Sequence, residues 1–378
     1  MQVSCHSTAS MNLAVIAHRG ASGYVPEHSL AAYMLAVGLG ADYIEPDLVL
    51  SKDGVFHALH DLLLDLTTNI ADFPEFAHRL TTRDVEGVSY TGFFVSDFDS
   101  SELKLLRLKQ RLPNTRSTLF DYTLQMPTLT EIFQMANNLT SSSGRRVGLY
   151  LELKHPNYYR SLNFSMEEMI LKSLIDANYA IKNVEADLFH RVAPIVIQCF
   201  VSETLIYLRS KCDLPLVQLI GLAENERIAD VWNGANLDMM TKYANGIGPP
   251  TTIFTDSQVS YSKATYMIDQ ARTRKLVVHP YVLKSDSEMK GSSSAETLFF
   301  VCCLEVDGIF TDYTDRTLLA VMQTSANPFI CASICPEKFP SATADPYDLT
   351  SPIAFVCAIV TILYFYSCFR PSKASSRK

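Results

Sequence analysis

One alternation of strand-like and helix-like segments, between residues 13 and 61, constrains the fold more than any other feature. The chain there reads LAVIAHRGASGYVPEHSLAAYMLAVGLGADYIEPDLVLSKDGVFHALHD. An apolar run at 13–17 precedes a loop, an amphipathic helix of about twelve residues from Ser29, and a second apolar run at 43–50. Strand, helix and strand form a βαβ unit, which joins parallel strands by a right-handed crossover. Such sheets place active sites at the carboxyl ends of their strands.

Residues with catalytic chemistry stand at the ends of these segments. Glu45 and Asp47 are two residues apart on one strand, so both carboxylates point to one face and can bind a cation. His18 and His60 are a natural acid and base near neutral pH. Arg19 adds a planar cation that fits a phosphate. Together these groups supply what phosphodiester cleavage needs: proton transfer at two oxygens and positive charge for the developing anion.

Each feature also has a simpler explanation. A lone E-x-D pair is most often solvated surface, and a single histidine beside a strand is usually structural. The joint occurrence of two histidines, an arginine and two carboxylates around one βαβ unit is explained by neither. We therefore favour the functional interpretation.

Further motifs follow in order along the chain. After HRGASGYVPEHS, GADYIEPDLVLSKDG and HALHD come MPTLTEIF, YLELKHP, VIQCF, PLVQLIG, VVHPYVLKSD and VDGIFTDYTD. The set resembles the signature of the glycerophosphodiester phosphodiesterase family over about residues 13–324. It is most similar to the branch with a long insertion after the second histidine, found in periplasmic bacterial and plant enzymes.

The resemblance implies a metal-dependent hydrolase that converts deacylated phospholipids such as glycerophosphocholine to sn-glycerol 3-phosphate and an alcohol. It makes Glu152 the third metal carboxylate beside Glu45 and Asp47. It places Lys154 near the phosphate, although Lys154 can also be a rim lysine without a catalytic part. The metal is divalent, with Ca²⁺ expected and Mg²⁺ equally compatible with carboxylate ligands.

For the mechanism, we hypothesise that His18 is the base on the attacking oxygen and that His60 is the acid on the leaving alcohol. The attacking oxygen belongs either to water or to the glycerol 2-hydroxyl, and the sequence does not distinguish them. No G-x-G-x-x-G or P-loop fingerprint of another cofactor occurs.

The remaining pattern predicts an eight-stranded TIM (β/α)₈ barrel in a domain spanning 1–324. The predicted strands are 13–17, 43–50, 147–153, 195–200, 216–220, 244–248, 276–282 and 308–312. The predicted helices, after the one from Ser29, are 128–137, 166–180, 202–209, 257–274 and 295–305. Residues 62–122 lack clean periodicity apart from a short helix beginning near Ser100, and are expected to form an inserted cap over the site.

Three further polar residues, Gln198, His279 and Tyr281, fall near predicted strand ends. Each is either a pocket residue or an ordinary residue of the barrel interior or rim. The nine cysteines show no zinc spacing. Cys199 and Cys302 are expected to be buried small hydrophobes, and Cys331 and Cys335 can pair in an oxidising compartment.

The carboxyl-terminal region changes character. Residues 325–352 have the composition of a stalk or linker. Residues 353–369 carry no charge and precede a basic tail at 370–378, which predicts a single membrane-spanning helix. The alternatives are a buried terminal helix and, less favoured, a lipid-anchor signal.

The side of the membrane stays open. The basic tail favours a barrel outside the cytoplasm, which agrees with sequons at Asn138 and Asn163. The amino-terminal segment does not read as a secretory signal, which favours a tail-anchored protein with a cytoplasmic barrel.

The net charge of −8 argues against nucleic acid as a partner. Two other functions remain possible from the sequence. One is a lysophospholipase D or phospholipase D-like hydrolase that acts on intact lipid, and the other is a non-catalytic membrane-anchored barrel. The sequence gives no indication of an oligomeric state.

Overall fold

The computed structural model describes residues 13–143, 146–183, 194–221, 232–255, 259–284, 286, 293–327 and 329–335. The strands within these ranges, in chain order, are β1 (Ala14–His18), β2 (Tyr43–Glu45), β3 (Asp47–Leu50), β4 (Phe56–Ala58), β5 (Thr81–Val85), β6 (Val88–Gly92), β7 (Gly148–Leu153), β8 (Ile195–Cys199), β9 (Leu216–Leu219), β10 (Gly246–Gly248), β11 (Val277–Val278) and β12 (Gly308–Thr311).

The α-helices alternate with these strands. Their bounds are Leu30–Gly38, Ser100–Leu103, Leu129–Ser143, Pro156–Ser161, Met166–Asp176, Ser202–Lys211, Gly234–Met240, Thr252–Thr255, Tyr261–Arg272, Ser293–Leu298, Thr314–Ala326 and Phe329–Ile334, with a π-helical turn at Phe299–Leu304. The predicted helices occur where expected, with different ends. The helix capped by Thr128 runs to Ser143 rather than residue 137.

Eight parallel strand positions form a nearly closed TIM-like barrel, which confirms the predicted fold class. The strand order is β11-β10-β9-β8-β7-β2-β1-β12, with β3 continuing β2 beside β7. The first and last strands of this order approach through backbone hydrogen bonds, including Leu283 N to Phe310 O at 2.9 Å and Phe310 N to Pro280 O at 3.0 Å. The order follows the chain because each crossover joins neighbouring parallel strands.

The predicted strand 43–50 is interrupted at Pro46 but keeps one register. Ile44 pairs with Leu149 and Asp47 with Glu152, so the same offset holds on both sides of the proline. The next strand, β4, pairs antiparallel with β3 and ends at Ala58. This hairpin turns the chain back toward the carboxyl end of the barrel, and His60 follows at that end.

The insertion has more regular structure than its sequence indicated. Strands β5 and β6 form an antiparallel hairpin, and three 3₁₀ turns lie at Ile70–Asp72, Pro74–Arg79 and Val95–Asp97. The short helix begins at Ser100, as predicted, and a capping box formed by Asp99 and Glu102 closes its amino end.

The barrel interior contains an apolar layer formed by side chains of several strands. Its buried members come from six different strands and are Ile16, Tyr43, Tyr150, Val196, Val217 and Phe310. Ring contacts link Tyr150 to Tyr43 and to Phe310, with centroids 5.6 and 5.1 Å apart. Bulky side chains from alternating positions fill the barrel, as this fold requires.

The cysteine expectations were partly wrong. Disulfides join Cys302 to Cys331 and Cys303 to Cys335, so Cys331 and Cys335 do not pair with each other. Cys331 and Cys335 are one helical turn apart, so both face the same neighbouring helical segment. Each bonds to one of the two consecutive cysteines of that segment. Cys302 is thus bonded rather than a free hydrophobe, whereas Cys199 is free and buried as expected.

The predicted membrane helix at 353–369, the basic tail and most of the linker lie outside the described residues. Among the helices that are described, none has both the length and the apolar character required to cross a bilayer.

Candidate active site

A layer of polar side chains lies next to the apolar layer in the barrel interior, two residues further along each strand. Two residues after Ile16, Tyr43 and Tyr150 come His18, Glu45 and Glu152, and all three line a pocket at the carboxyl end of the barrel. Because side chains two apart on a strand share a face, each strand places one apolar and then one polar group in the interior.

The three carboxylates predicted to bind metal converge. Glu45, Asp47 and Glu152 are all buried, and each offers an oxygen within 4.8 Å of the oxygens of the others. The register explains this, because Asp47 lies beside Glu152 on the neighbouring strand. Three buried acidic oxygens at this separation are the donor set that a hard divalent cation prefers.

The electrostatics of this cluster fit a cation as well. Burial, together with the charges of Asp47 and Glu152, raises the pKa of Glu45 well above its usual value. Burial also raises the pKa of Glu152 to about 8, although Lys154 opposes the shift. Burial disfavours ionised Asp47 too, but Lys154, Arg19 and His28 outweigh it and hold the Asp47 pKa well below normal. Two of the three carboxyls therefore resist ionisation until additional positive charge is present.

A sharp turn after β1 places Arg19 over these carboxylates. Arg19 has φ of 60° and Gly20 has φ of 84°. A Cβ on Gly20 would lie 2.6 Å from the Ala32 carbonyl carbon, so only glycine fits. The backbone N–H of Arg19 donates to Glu45 Oε2 at 2.9 Å, and its Nε lies 3.2 Å from Asp47 Oδ2.

Lys154 lies at the pocket wall. Its Nζ is 2.9 Å from Glu152 Oε1 and 5.9 Å from the ring centre of Phe200. Both Lys154 and Arg19 line the pocket. The neighbouring His155 lies with its Nδ1 3.2 Å from Glu86 Oε2 of the insertion.

The two histidines line the same pocket. His18 is mostly buried, with 12 % of its side chain exposed, whereas His60 is 34 % exposed. Burial and the charge of Arg19 lower the pKa of His18, and Asp312 offsets this only in part. Burial and the charges of Arg19 and Lys154 lower the His60 pKa to about 3. Both imidazoles are therefore neutral at pH 7.

Sequence reasoning missed a second group of residues behind these side chains. His28 is fully buried, and its Nε2 lies 2.9 Å from Asp47 Oδ2 while its Nδ1 contacts the Tyr33 hydroxyl at 2.8 Å. Asp312 faces His18. Asp312 follows Phe310 by two residues, so the same alternation that places His18 could have identified it.

Of the three polar residues left open by the sequence, two reach the pocket. Gln198 Nε2 donates to Glu45 Oε1 at 3.0 Å, and Tyr281 lines the wall. His279 instead lies in the barrel interior below, where its Nδ1 is 2.9 Å from the Tyr150 hydroxyl. All seven predicted site residues thus lie at one end of the barrel, and their individual roles stay predictions.

A parallel β/α barrel whose carboxyl end carries histidines, acidic residues and cations belongs to the class of TIM-barrel enzymes. The model of the "Glycerophosphoryl diester phosphodiesterase family" matches residues 18–316. The chain belongs to this family and is a phosphoric diester hydrolase of it, as the sequence resemblance indicated.

Related proteins cover most of the chain. Glycerophosphodiester phosphodiesterase GDPD6 of Arabidopsis thaliana is 34% identical over 316 residues, which are 79% of this chain and 83% of the plant protein. The glycerophosphodiester phosphodiesterase of Haemophilus influenzae is 26% identical over 337 residues, 80% of this chain and 87% of its own.

Solved structures show the same fold. A Silicibacter pomeroyi protein described as a "Putative glycerophosphoryl diester phosphodiesterase" superposes with a TM-score of 0.56 at 19% identity, covering 83% of this chain and 94% of that one. An Oleispira antarctica phosphodiesterase in complex with the product sn-glycerol-3-phosphate gives a TM-score of 0.53 at 19% identity, covering 84% and 100%.

Proposed function

We propose that the chain hydrolyses glycerophosphodiesters such as glycerophosphocholine to sn-glycerol 3-phosphate and an alcohol. The observation that carries this proposal is the joint placement of two neutral histidines and three converging carboxylates around one pocket. The plant and bacterial relatives act as glycerophosphodiester phosphodiesterases, and the Oleispira antarctica enzyme binds this product.

The proposed roles of the histidines follow from their charge state. Neutral His18 can accept the proton of the attacking oxygen, which belongs to water or to the glycerol 2-hydroxyl. His60 has to be protonated to act as the acid. Because Arg19 and Lys154 lower its pKa, a phosphodiester anion bound between these cations would neutralise their effect and raise the pKa of His60.

Glu45, Asp47 and Glu152 would hold a divalent cation, and both Ca²⁺ and Mg²⁺ suit a carboxylate donor set. When bound, the cation would supply positive charge for the phosphate oxygens during reaction. Arg19 and Lys154, which contact these carboxylates, would bind the same phosphate, since both line the pocket and both are charged at pH 7.

The leaving group offers the sharpest test of the histidine roles. We expect His18→Ala and His60→Ala to lower the rate on glycerophosphocholine by about 10²–10⁴-fold. A p-nitrophenyl ester of glycerol phosphate has a leaving group that needs no proton, so His60→Ala should recover on it while His18→Ala should not. Retained activity of either variant on glycerophosphocholine would remove that histidine from the mechanism.

The same assay separates this function from the one on intact lipid. Full-length protein in detergent should turn over glycerophosphocholine much faster than lysophosphatidylcholine. A preference for lysophosphatidylcholine would favour a lysophospholipase D, and no turnover of either with any divalent cation would favour a non-catalytic barrel.

We further propose that residues 353–369 anchor the protein by a single pass, with the barrel in an oxidising compartment and the basic tail in the cytoplasm. Two disulfides in the described part of the chain support an oxidising environment. Asn138 and Asn163 of the two sequons are exposed, as glycan acceptors must be. A mobility shift on treatment with an N-glycosidase is expected, and it should disappear in the Asn138→Gln/Asn163→Gln protein. Protease sensitivity of the barrel from the cytoplasmic side of intact vesicles would overturn this topology.

A further inference from the structure

The Nδ1 atom of each pocket histidine is held by a chain of charged groups that the proposed mechanism does not use. On the more buried side, His18 Nδ1 lies 2.7 Å from Asp312 Oδ1. The other oxygen of that aspartate, Oδ2, accepts a hydrogen bond of 2.5 Å from Arg116 Nη2. Arg116 belongs to the insertion, 196 residues away from Asp312 in the sequence.

The side of the second histidine has a related arrangement, in which an ion pair takes the place of the arginine hydrogen bond. His60 Nδ1 lies 2.7 Å from Asp61 Oδ1, and Arg111 Nη2 lies 2.8 Å from Asp61 Oδ2. Arg111 is also an insertion residue. The insertion therefore directs one arginine at each of the two aspartates behind the histidines.

Further contacts fix the direction of both guanidinium groups. Arg116 donates through Nε and Nη2 to the two oxygens of Asp286, at 2.7 Å each. Arg111 makes a similar two-pronged contact with Glu27, at 2.8 and 2.7 Å. A planar guanidinium held by two hydrogen bonds has little rotational freedom, so it also restricts the carboxylate that it contacts.

An oriented aspartate fixes the tautomer of its histidine. Burial disfavours ionised Asp312, but His18 and Arg116 outweigh it and hold the Asp312 pKa well below normal. Against burial, His60 and Arg111 hold the Asp61 pKa at about 2. An ionised carboxylate only accepts hydrogen bonds, so the proton is on Nδ1 and Nε2 is left for proton transfer with the substrate.

We propose that Arg111 and Arg116 are positioning residues that act through Asp61 and Asp312 to orient His60 and His18, so that the insertion completes both sides of the proton-transfer site. This inference rests on the histidine roles proposed above. The competing explanation is that both arginines only dock the insertion on the barrel, without influence on the histidines.

A double-mutant cycle on the full-length protein separates the two explanations. Arg116→Ala and Asp312→Asn should each lower kcat on glycerophosphocholine by about 10–100-fold, the range for residues that orient a functional group, with KM changed far less. Because Arg116 acts through Asp312, the double variant should be no slower than Asp312→Asn alone. Multiplication of the two effects would overturn the proposal, because it would show independent roles. The Arg111→Ala and Asp61→Asn cycle repeats the test.

Arg83→Ala is the matched control. Arg83 also ties the insertion to the barrel, through a 3.0 Å hydrogen bond to Tyr158, and pairs with Asp97 within the insertion. If docking alone matters, Arg83→Ala should lower kcat as much as the other two arginine variants do. The proposal expects kcat within about twofold of the wild type, even if the melting temperature falls.

Chemical rescue supplies a readout that a purely structural role would not move. Guanidinium ion, at concentrations below those that unfold the protein, should restore part of the kcat of Arg116→Ala and Arg111→Ala and none of that of Asp312→Asn. Arg116→Lys keeps the positive charge but not the two-pronged guanidinium contact. It should fold even if Arg116→Ala does not, and its kcat should be lower than that of the wild type. Wild-type kcat in Arg116→Lys and in Arg111→Ala would overturn the proposal. Active His18→Ala and His60→Ala proteins would instead contradict the proposed function itself.

Discussion

Two layers of the barrel interior, only two residues apart on each strand, have opposite character. The lower layer is apolar and tightly packed, with Ile16, Tyr150 and Phe310 all almost fully buried. The upper layer holds Glu45, Glu152 and their neighbours, which are buried as well but charged or polar. Burial stabilises the first layer and opposes ionisation in the second.

This contrast indicates that the apolar layer stabilises the fold and that the polar layer destabilises it. Apolar contacts in the lower layer contribute to folding without any ligand. The like charges of Glu45, Asp47 and Glu152 cost free energy of folding, since burial and mutual repulsion raise the pKa of two of them. Clusters of buried ionisable groups with shifted pKa values are typical of functional sites. Substitutions two residues apart on one strand should therefore have opposite effects on stability and activity.

The largest effect is expected for Glu45→Gln beside its lower-layer neighbour on β2. Loss of a cation ligand should lower kcat/KM on glycerophosphocholine by about 10³-fold, or ~4 kcal/mol in the transition state. Tyr43→Phe, two residues earlier, should leave kcat/KM unchanged. Steady-state kinetics on both purified proteins is the measurement, and a large loss in Tyr43→Phe would show that the layers do not differ in function.

Phe310→Ala in the lower layer should mainly affect stability. Truncation of a fully buried phenylalanine removes apolar burial and leaves a cavity, which costs about 3–5 kcal/mol of unfolding free energy. Urea denaturation measures this change. The rate per folded molecule should fall far less than in Glu45→Gln, because the Phe310 ring lines the pocket but carries no group that binds a cation or transfers a proton. An unchanged denaturation midpoint would contradict the role given to this layer.

Glu152→Gln should stabilise the metal-free protein, by about 2 kcal/mol at pH 8, while it abolishes turnover. The raised pKa of Glu152 determines that its replacement stabilises the protein. A carboxyl with an ordinary pKa of 4.5 and a folded pKa of about 8 binds its proton more tightly in the folded state. Its contribution to stability is thus present below pH 4.5 and is lost as the pH rises to 8.

The advantage of Glu152→Gln should accordingly be absent below pH 4.5 and should grow to ~2 kcal/mol at pH 8 in EDTA. Saturating divalent cation should remove the advantage, because the cation stabilises only the wild type. An advantage that is independent of pH would argue against this assignment.

The smallest effect is expected for Tyr150→Phe, which removes the hydroxyl that contacts His279 Nδ1 at 2.9 Å. The loss of one buried hydrogen bond costs about 0.5–1.5 kcal/mol. Thermal denaturation should show the loss, and activity should be unchanged. A gain in stability would show that this polar pair weakens the lower layer.

Most of the fold and half of the site could be predicted from the sequence for one physical reason. Apolar runs that end in a charged residue identify buried parallel strands, so His18, Glu45 and Glu152 were found together with their strands. Asp312 obeys the same alternation and could have been found. His28 could not, because its left-handed turn and its contact with Asp47 depend on how the loop packs.

The contacts of the insertion and the pairing of the cysteines could not be predicted from the alternation of residues along strands. Arg111 and Arg116 occur in an aperiodic segment, and long-range contacts alone decide which acidic residues they meet. The partners of Cys331 and Cys335 depend on which helix the terminal helix docks against. Neither the partners of these arginines nor those of these cysteines follow from the local periodicity of the sequence.

The most direct test of the account is the divalent-cation dependence of glycerophosphocholine turnover by the full-length wild type and by Glu152→Gln. EDTA should abolish wild-type turnover, and Ca²⁺ or Mg²⁺ should restore it with saturation, whereas Glu152→Gln should stay inactive at the same cation concentrations. Full turnover by the wild type in EDTA, or by Glu152→Gln under any of these conditions, would contradict a cation site formed by the three converging carboxylates.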